Sequence, residues 1–200
     1  MKAINLVCLL LGVLAVGCGS SPNTGTNPTG PGTPTPTVLK LNGAEYKPIE
    51  KGTLESTETT VKGTGSLIFR QPRTEEDSNF ALAFTLEDAG SVTLVANSDA
   101  ELKNAVKLTF ARQGKKLKVI LKVADEPEGD LSEEFEAFAA DAPLSISVDV
   151  HGHGHVIVWV GDGEEQEYAF TARVPGRLWG LVLDKATVTG AVADKAKDVH

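Results

Sequence analysis

Most of the chain alternates apolar and polar residues with a period of two. Phe80, Leu82, Phe84 and Leu86 alternate with Ala81, Ala83 and Thr85, and Val106, Leu108 and Phe110 with Lys107, Thr109 and Ala111. Leu117, Val119, Leu121 and Val123 alternate with Lys118, Ile120 and Lys122, as do Leu144, Ile146, Val148 and Val150 with Ser145, Ser147 and Asp149. Such a pattern buries one face of a strand and wets the other, which is the signature of antiparallel sheet. Weaker versions predict strands over 64–70, 91–96, 155–160, 166–172 and 178–189. Turn chemistry separates the runs: Glu87-Asp88-Ala89-Gly90, Asn97-Ser98-Asp99, Gln113-Gly114 and Gly161-Asp162-Gly163. Nine or more strands follow, with no strand–helix alternation, which argues against a parallel α/β sheet. One short helix interrupts them. Asp130-Leu131-Ser132-Glu133 fits a capping box with Asp130 as N-cap, Leu131, Phe135 and Phe138 share a face, and Pro143 stops the helix after Ala142. The predicted fold class is an all-β antiparallel sandwich with that helix covering an edge or an end.

The first residues follow a different rule. One Lys precedes an unbroken apolar run, Leu6 to Val16, of 11 residues. A bilayer span needs about 20, so this run reads as the core of a secretory leader. Leu14-Ala15-Val16-Gly17-Cys18 then resembles the bacterial lipobox, with Leu14 four residues ahead of the cysteine. The resemblance implies removal of 1–17, lipidation (palmitate) at Cys18 and a membrane partner held through the lipid anchor. Gly19, rather than Asp, resembles an outer-membrane address, with the periplasmic face and the cell surface both open as the domain's location. Residues 19–37 consist only of Gly, Ser, Pro, Asn and Thr. With no charge and no core-forming side chain, nothing offsets the entropy of ordering them. They read as a tether able to reach about 60 Å at most. The predicted organisation is leader 1–17, lipidated Cys18 with linker to 37, and one domain over 38–200.

Charge narrows the partners. The 200 residues carry 19 Lys+Arg against 27 Asp+Glu, a formal net charge of −8, which argues against nucleic acid as a partner. Cys8 is lost with the leader and Cys18 is spent on lipid, so no disulfide is expected. The charge is also segregated. Residues 101–122 hold seven cations (103, 107, 112, 115, 116, 118, 122) and one acid, whereas 123–167 hold thirteen acids and no Lys or Arg. Lys107, Lys118 and Lys122 share the wet parity of neighbouring strands and predict a basic stripe on one sheet face. The stripe reads either as a solvated face paired across strands to acids or as a contact for anionic sugar or lipid headgroups.

Two C-terminal runs carry a family resemblance. Leu144-Ser-Ile-Ser-Val-Asp-Val-His151 followed by His155-Val-Ile-Val-Trp-Val-Gly-Asp-Gly163, and the later Leu178-Trp-Gly-Leu-Val-Leu183, resemble the concanavalin-A-like lectin/glucanase jelly rolls, laminin-G-like domains included. The resemblance covers about residues 64–190 and is one of pattern. It implies a jelly-roll β-sandwich and leaves the ligand open, since function is grafted onto such folds.

Candidate chemistry is sparse. His151-Gly-His153-Gly-His155 holds three of the four histidines. Extended, the three imidazoles share a side and suit a transition metal. Folded at Gly152 and Gly154, they form a polar loop beside a ligand or a solvated turn. Asp125-Glu-Pro-Glu-Gly-Asp130 offers hard oxygens to Ca²⁺ without EF-hand spacing; no other cofactor is expected. No nucleophile elbow, zinc-protease helix or phosphate loop occurs, and Glu133-Glu134-x-Glu136 and Glu164-Glu165-x-Glu167 do not read as the opposed carboxylates of a glycosidase. No catalytic residue is assigned. Trp159 has the opposite parity to Val156, Val158 and Val160, so it stacks sugar on an open face or packs in a strand buried on both sides. The candidate ligand residues are His151, His153, His155 and Trp159. Two functions stay open: a membrane-anchored carbohydrate-binding sandwich, and a structural lipoprotein that binds an envelope protein and no small ligand. A glycoside hydrolase stands behind both. Replacing Cys18 by Ser is expected to leave an unprocessed precursor that no longer partitions into detergent phase. Wild-type membrane fractionation of that variant would refute the anchor.

Overall fold

The computed structural model describes residues 39–70, 77–131, 142–152, 154–163 and 165–195, with side chains to 193. The leader, Cys18, the linker, His153, Glu164 and residues 132–141 lie outside them. The described part is all-β. Its strands are β1 (Leu39–Leu41), β2 (Ala44–Glu50), β3 (Glu55–Ser56), β4 (Val61–Phe69), β5 (Ser78–Ser98), β6 (Val106–Gln113), β7 (Lys116–Val123), β8 (Gly129–Asp130), β9 (Leu144–His151), β10 (His155–Val160), β11 (Gln166–Ala169) and β12 (Leu178–Lys195). All pairings are antiparallel.

The period-two segments form strands as expected, with one correction. Residues 80–86 and 91–96 are not separate strands joined by a turn at 87–90; they belong to β5, which runs unbroken for 21 residues. The turn chemistry makes a bend inside the strand instead. Ala89 takes a left-handed φ of 55°. Gly90 lies so close to β12 that a Cβ there would sit 2.5 Å from the Lys185 carbonyl oxygen. On β12 the pairing shifts between Asp184 and Ala186, with Lys185 at φ 48°. On β4 the same line passes between Gly63 and Gly65, both at positive φ. Three adjacent strands thus carry an irregularity on one line, and β-bulges of this kind bend a sheet.

The bend folds β5 back on itself. A straight strand would hold Phe80 about 53 Å from Ala96 at ~3.3 Å per residue. Yet Phe80 packs on Trp179, whose β12 neighbours pair with Val95 and Ser98, at 5.5 Å between ring centres. Phe84 likewise reaches Phe110, opposite Val92, at 5.8 Å. The edge of β5 away from β12 pairs with β9 over 78–84 and with β6 over 91–96. One layer is therefore β12's second half, β5's first half, β9, β10 and β11. The other is β1, β2, β4's second half, β12's first half, β5's second half, β6, β7 and β8, while β4's first residues, with β3 beside them, pair with β12 beyond the bend. This is a β-sandwich whose layers share their longest strands.

Inward parity confirms the bulges. On β12 the buried positions run Trp179, Leu181, Leu183, then Ala186 and Val188, then Ala191. Each three-residue step falls at a register shift, because an extra residue is what returns the apolar set to the core face. Phe69 stacks on Trp179 at 3.7 Å with planes 6° apart. Asp130, read from the sequence as a helix cap, sits in β8, and Leu131 is buried with its N–H donating to the Val119 carbonyl at 2.8 Å. The remainder of the predicted helix falls on residues 132–141, outside those described.

Segment 170–177 crosses from β11 in one layer to β12 in the other and is held by one carboxylate. Glu126 Oε1 accepts from the Thr171 hydroxyl at 2.6 Å, the Thr171 N–H at 2.8 Å and the Ala172 N–H at 2.5 Å. The hydroxyl bond does most to hold this carboxyl below the usual glutamate range; desolvation opposes it and the two backbone bonds add to it. A lowered folded pKa contributes stability above the ordinary glutamate pKa and loses it as pH falls through the lowered value.

Three substitutions test this architecture. Gly90→Ala sets a methyl against three carbonyl oxygens at 2.5–3.1 Å and should cost about 2 kcal/mol or more in denaturant melts. Gly190→Ala, which meets nothing closer than 3.5 Å, should stay within about 0.5 kcal/mol. Glu126→Gln should lower Tm near neutral pH, and its deficit against wild type should shrink as pH drops below the ordinary glutamate range. A deficit independent of pH would show that the carboxylate charge is not what holds the segment.

Candidate functional site

The outward face of the β12–β5–β9–β10–β11 layer carries most of the residues singled out from the sequence. Val156 and Val158 of β10 are buried in the core. His155, Ile157 and Trp159 therefore point the other way, and all three are half-buried. Trp159 therefore stands on the outward face of the sheet and does not pack in the core. Its aromatic companions differ. Trp179 is 3% exposed and belongs to the core, and Tyr168, opposite Val156, packs against the core as well.

Register sets what stands beside Trp159. Ser147 of β9 is directly opposite it, Ala81 of β5 is opposite Ser147, and Val192 of β12 is opposite Ala81. This row spans three strand spacings, about 14 Å, and ends in Val192, 49% exposed. Ala83, Ser145 and Gly190 occupy the next outward positions, so the floor between the two apolar ends is built of small side chains. In the adjoining row Asn79 faces Asp149, which faces Ile157. Asn79 Nδ2 donates to Asp149 Oδ1 at 2.5 Å and to Ser147 Oγ at 3.0 Å. Asp149 is only 5% exposed on this outward face. No motif marks Asn79 as a member of this ladder; its outward parity on β5 is the signal in the residues.

The histidines close the far end of the same face. β9 ends at His151 and β10 begins at His155, and the two are cross-strand partners. The turn brings these two imidazoles together instead of scattering them: the rings stack at 4.1 Å, 22° apart. Gly154 makes the turn possible, with φ 112° and a position where a Cβ would lie 2.6 Å from the Phe170 carbonyl oxygen. Asp77 braces the hairpin, accepting from the Gly152 N–H at 2.9 Å and lying 3.8 Å from His151 Nδ1. Trp159 shares the face but is four residues further along β10, about 13 Å from His155. It is not part of the histidine cluster.

Among the described residues no three His, Cys, Asp or Glu side chains converge as a metal site. In the acidic run proposed for Ca²⁺, the Glu126 oxygen is taken by residues 171–172, while Asp125 instead lines a cavity of about 560 Å³ with Asn104, Ala124, Arg173 and Pro175. That cavity lies between the start of the acidic run and the crossing segment, with Glu126 and Ala172 also in its wall. Of the carboxylates weighed for glycoside hydrolysis, Glu167 is exposed on β11 opposite Ile157, and Glu133, Glu134, Glu136 and Glu164 lie outside the described residues.

No family profile and no curated protein matches the chain. Solved structures do. The carbohydrate binding module CBM66 from Bacillus subtilis is similar over 78% of this chain and 99% of its own, with a TM-score of 0.61 at 13% identity. The galectin LEC-6 of Caenorhabditis elegans gives a TM-score of 0.49 at 7% identity, over 70% of this chain and 99% of its own. An alginate lyase from Pseudomonas aeruginosa gives 0.48 at 14%, over 66% and 74%. At these identities the likeness concerns fold alone. The architecture is a jelly-roll β-sandwich.

Proposed function

We propose that the protein is a carbohydrate-binding lipoprotein, held at the bacterial envelope by lipid on Cys18 and presenting its sandwich beyond the 19–37 linker. One observation carries the reading: an indole stands on the outward sheet face, across from a serine that belongs to a hydrogen-bonded Asn–Ser–Asp ladder. Sugar rings offer an apolar C–H face and a rim of hydroxyls. An aromatic platform suits the first, and fixed amide, hydroxyl and carboxylate groups suit the second. Trp159 supplies the platform, Asn79 and Ser147 the polar groups, with buried Asp149 orienting Asn79, and the Ala/Ser/Gly floor toward Val192 the room for a ring to lie down. His151 and His155 bound the far end of the face. The likeness to a carbohydrate binding module supports the same class of ligand. The proposed act is binding and not cleavage.

The test is a glycan array probed with the full-length protein and its Trp159→Ala variant. Wild type should bind a defined set of glycans. The variant should lose about tenfold in affinity, in keeping with a stacking contribution of order 1 kcal/mol, while its Tm stays within about 3 °C. An empty array, or binding untouched by Trp159→Ala, would overturn the reading in favour of a lipoprotein that contacts other envelope proteins.

A further inference from the structure

The other layer presents a second surface. On the outward face of β6 and β7, Lys107 stands directly opposite Lys122, and Lys118 and Lys116 continue the same side of β7. The row Lys122, Ile120, Lys118, Lys116 spans about 20 Å at ~3.3 Å per residue. One acid flanks the row, the exposed Asp130 of β8 opposite Ile120, and the β5 and β6 side offers none. The β5 neighbour of Lys107 is Val95, the β6 neighbour of Lys118 is Ala111, and Thr93 and Thr109 bond each other at 2.8 Å between them. Among the described residues, no carboxylate pairs with Lys107, Lys116, Lys118 or Lys122. Lys122 Nζ donates to the Glu126 carbonyl oxygen at 2.6 Å, which fixes its position without neutralising it. Like charges directly opposite each other destabilise a sheet. Here they persist in a chain of net charge −8.

We infer that the outward face of β6–β7 docks an anionic polysaccharide, with carboxylates of successive residues along one extended chain lying on the Lys107/Lys122 pair and on Lys118 and Lys116. A row of cations along a strand matches a linear polyanion with repeating charge. The apolar side chains on this face, Ile120 and Val182, stand apart with the Thr93–Thr109 pair between them, so they form no continuous apolar strip with which a membrane surface would also be engaged. The choice of a glycan rests on the carbohydrate reading above, but the surface is on the opposite layer from Trp159 and is tested separately.

The experiment titrates the full-length protein with polygalacturonate, with an uncharged glucan, and with vesicles containing phosphatidylglycerol. Three proteins are compared: wild type, the triple variant Lys107→Gln/Lys118→Gln/Lys122→Gln, and Trp159→Ala. Wild type should bind polygalacturonate and not the glucan at this face, with affinity falling steeply as salt rises from about 0.05 to 0.5 M. Each exposed ion pair contributes about twofold to fivefold, so the triple variant should weaken by at least about tenfold with an unchanged melting curve. Trp159→Ala should leave polygalacturonate binding as in wild type, even if the Trp159 face proves to bind no glycan at all. Vesicle binding without polygalacturonate binding would overturn the choice of partner. Polygalacturonate binding that is insensitive to salt or to the lysines would overturn the surface.

Discussion

Everything in this molecule depends on a line of backbone irregularities that lets three long strands serve two layers. A sandwich made of separate sheets needs connections at every crossing. Here β4, β5 and β12 make the crossing themselves, and the extra residues at the bend absorb the change of direction. The constraint is steric before it is energetic. Gly90 is pressed against the carbonyl of Lys185, so the two longest strands approach at the corner as closely as backbone allows. Once the corner is made, Phe80 meets Trp179, Phe84 meets Phe110, and one apolar cluster fills the interior.

The fold-back also decides where chemistry is placed. It stacks the two halves of β5, so that the β9–β10 wing and the β6–β7 wing lie on opposite layers with their outer faces turned away from each other. One outer face receives Trp159 and the Asn79–Ser147–Asp149 ladder, and the other receives the lysines. The end of the sandwich is crossed by 170–177, which Glu126 ties to the β7–β8 connection while the Phe170 N–H donates to the Gly154 carbonyl at 2.7 Å. The histidine hairpin and the cavity beside Arg173 are thus joined by one short segment, although they belong to different layers.

Much of this was legible in the residues, and the failures have specific causes. Strands with clean alternation, such as 106–111 and 144–150, were found because one wet and one dry face is what alternation encodes. The Gln113-Gly114 and Gly161-Asp162-Gly163 turns held for the same kind of local reason. Glu87-Asp88-Ala89-Gly90 misled because a bulge and a turn require the same residues: a left-handed position, a glycine and polar neighbours. Only the partner strand distinguishes them. Strands β1 to β3 have little periodicity; β1 and β3 are only three and two residues long, and β3 is exposed. The outward parity of Trp159 and the basic stripe were readable from period two. Which residues stand across from them was not, since register depends on hairpin length and on bulges far along the chain. The same holds for His151 and His155, whose stacking follows from a three-residue turn.

The central claim is that β5 and β12 fold back at the bulge line. It is tested most directly by nuclear Overhauser contacts between aromatic side chains in the isotopically labelled full-length protein. The account predicts strong cross-peaks between the Phe80 ring and the Trp179 indole, and between Phe84 and Phe110. Strands that ran straight would hold these pairs tens of ångströms apart. Absence of both sets of peaks, with the β5–β12 backbone pairings intact, would contradict it.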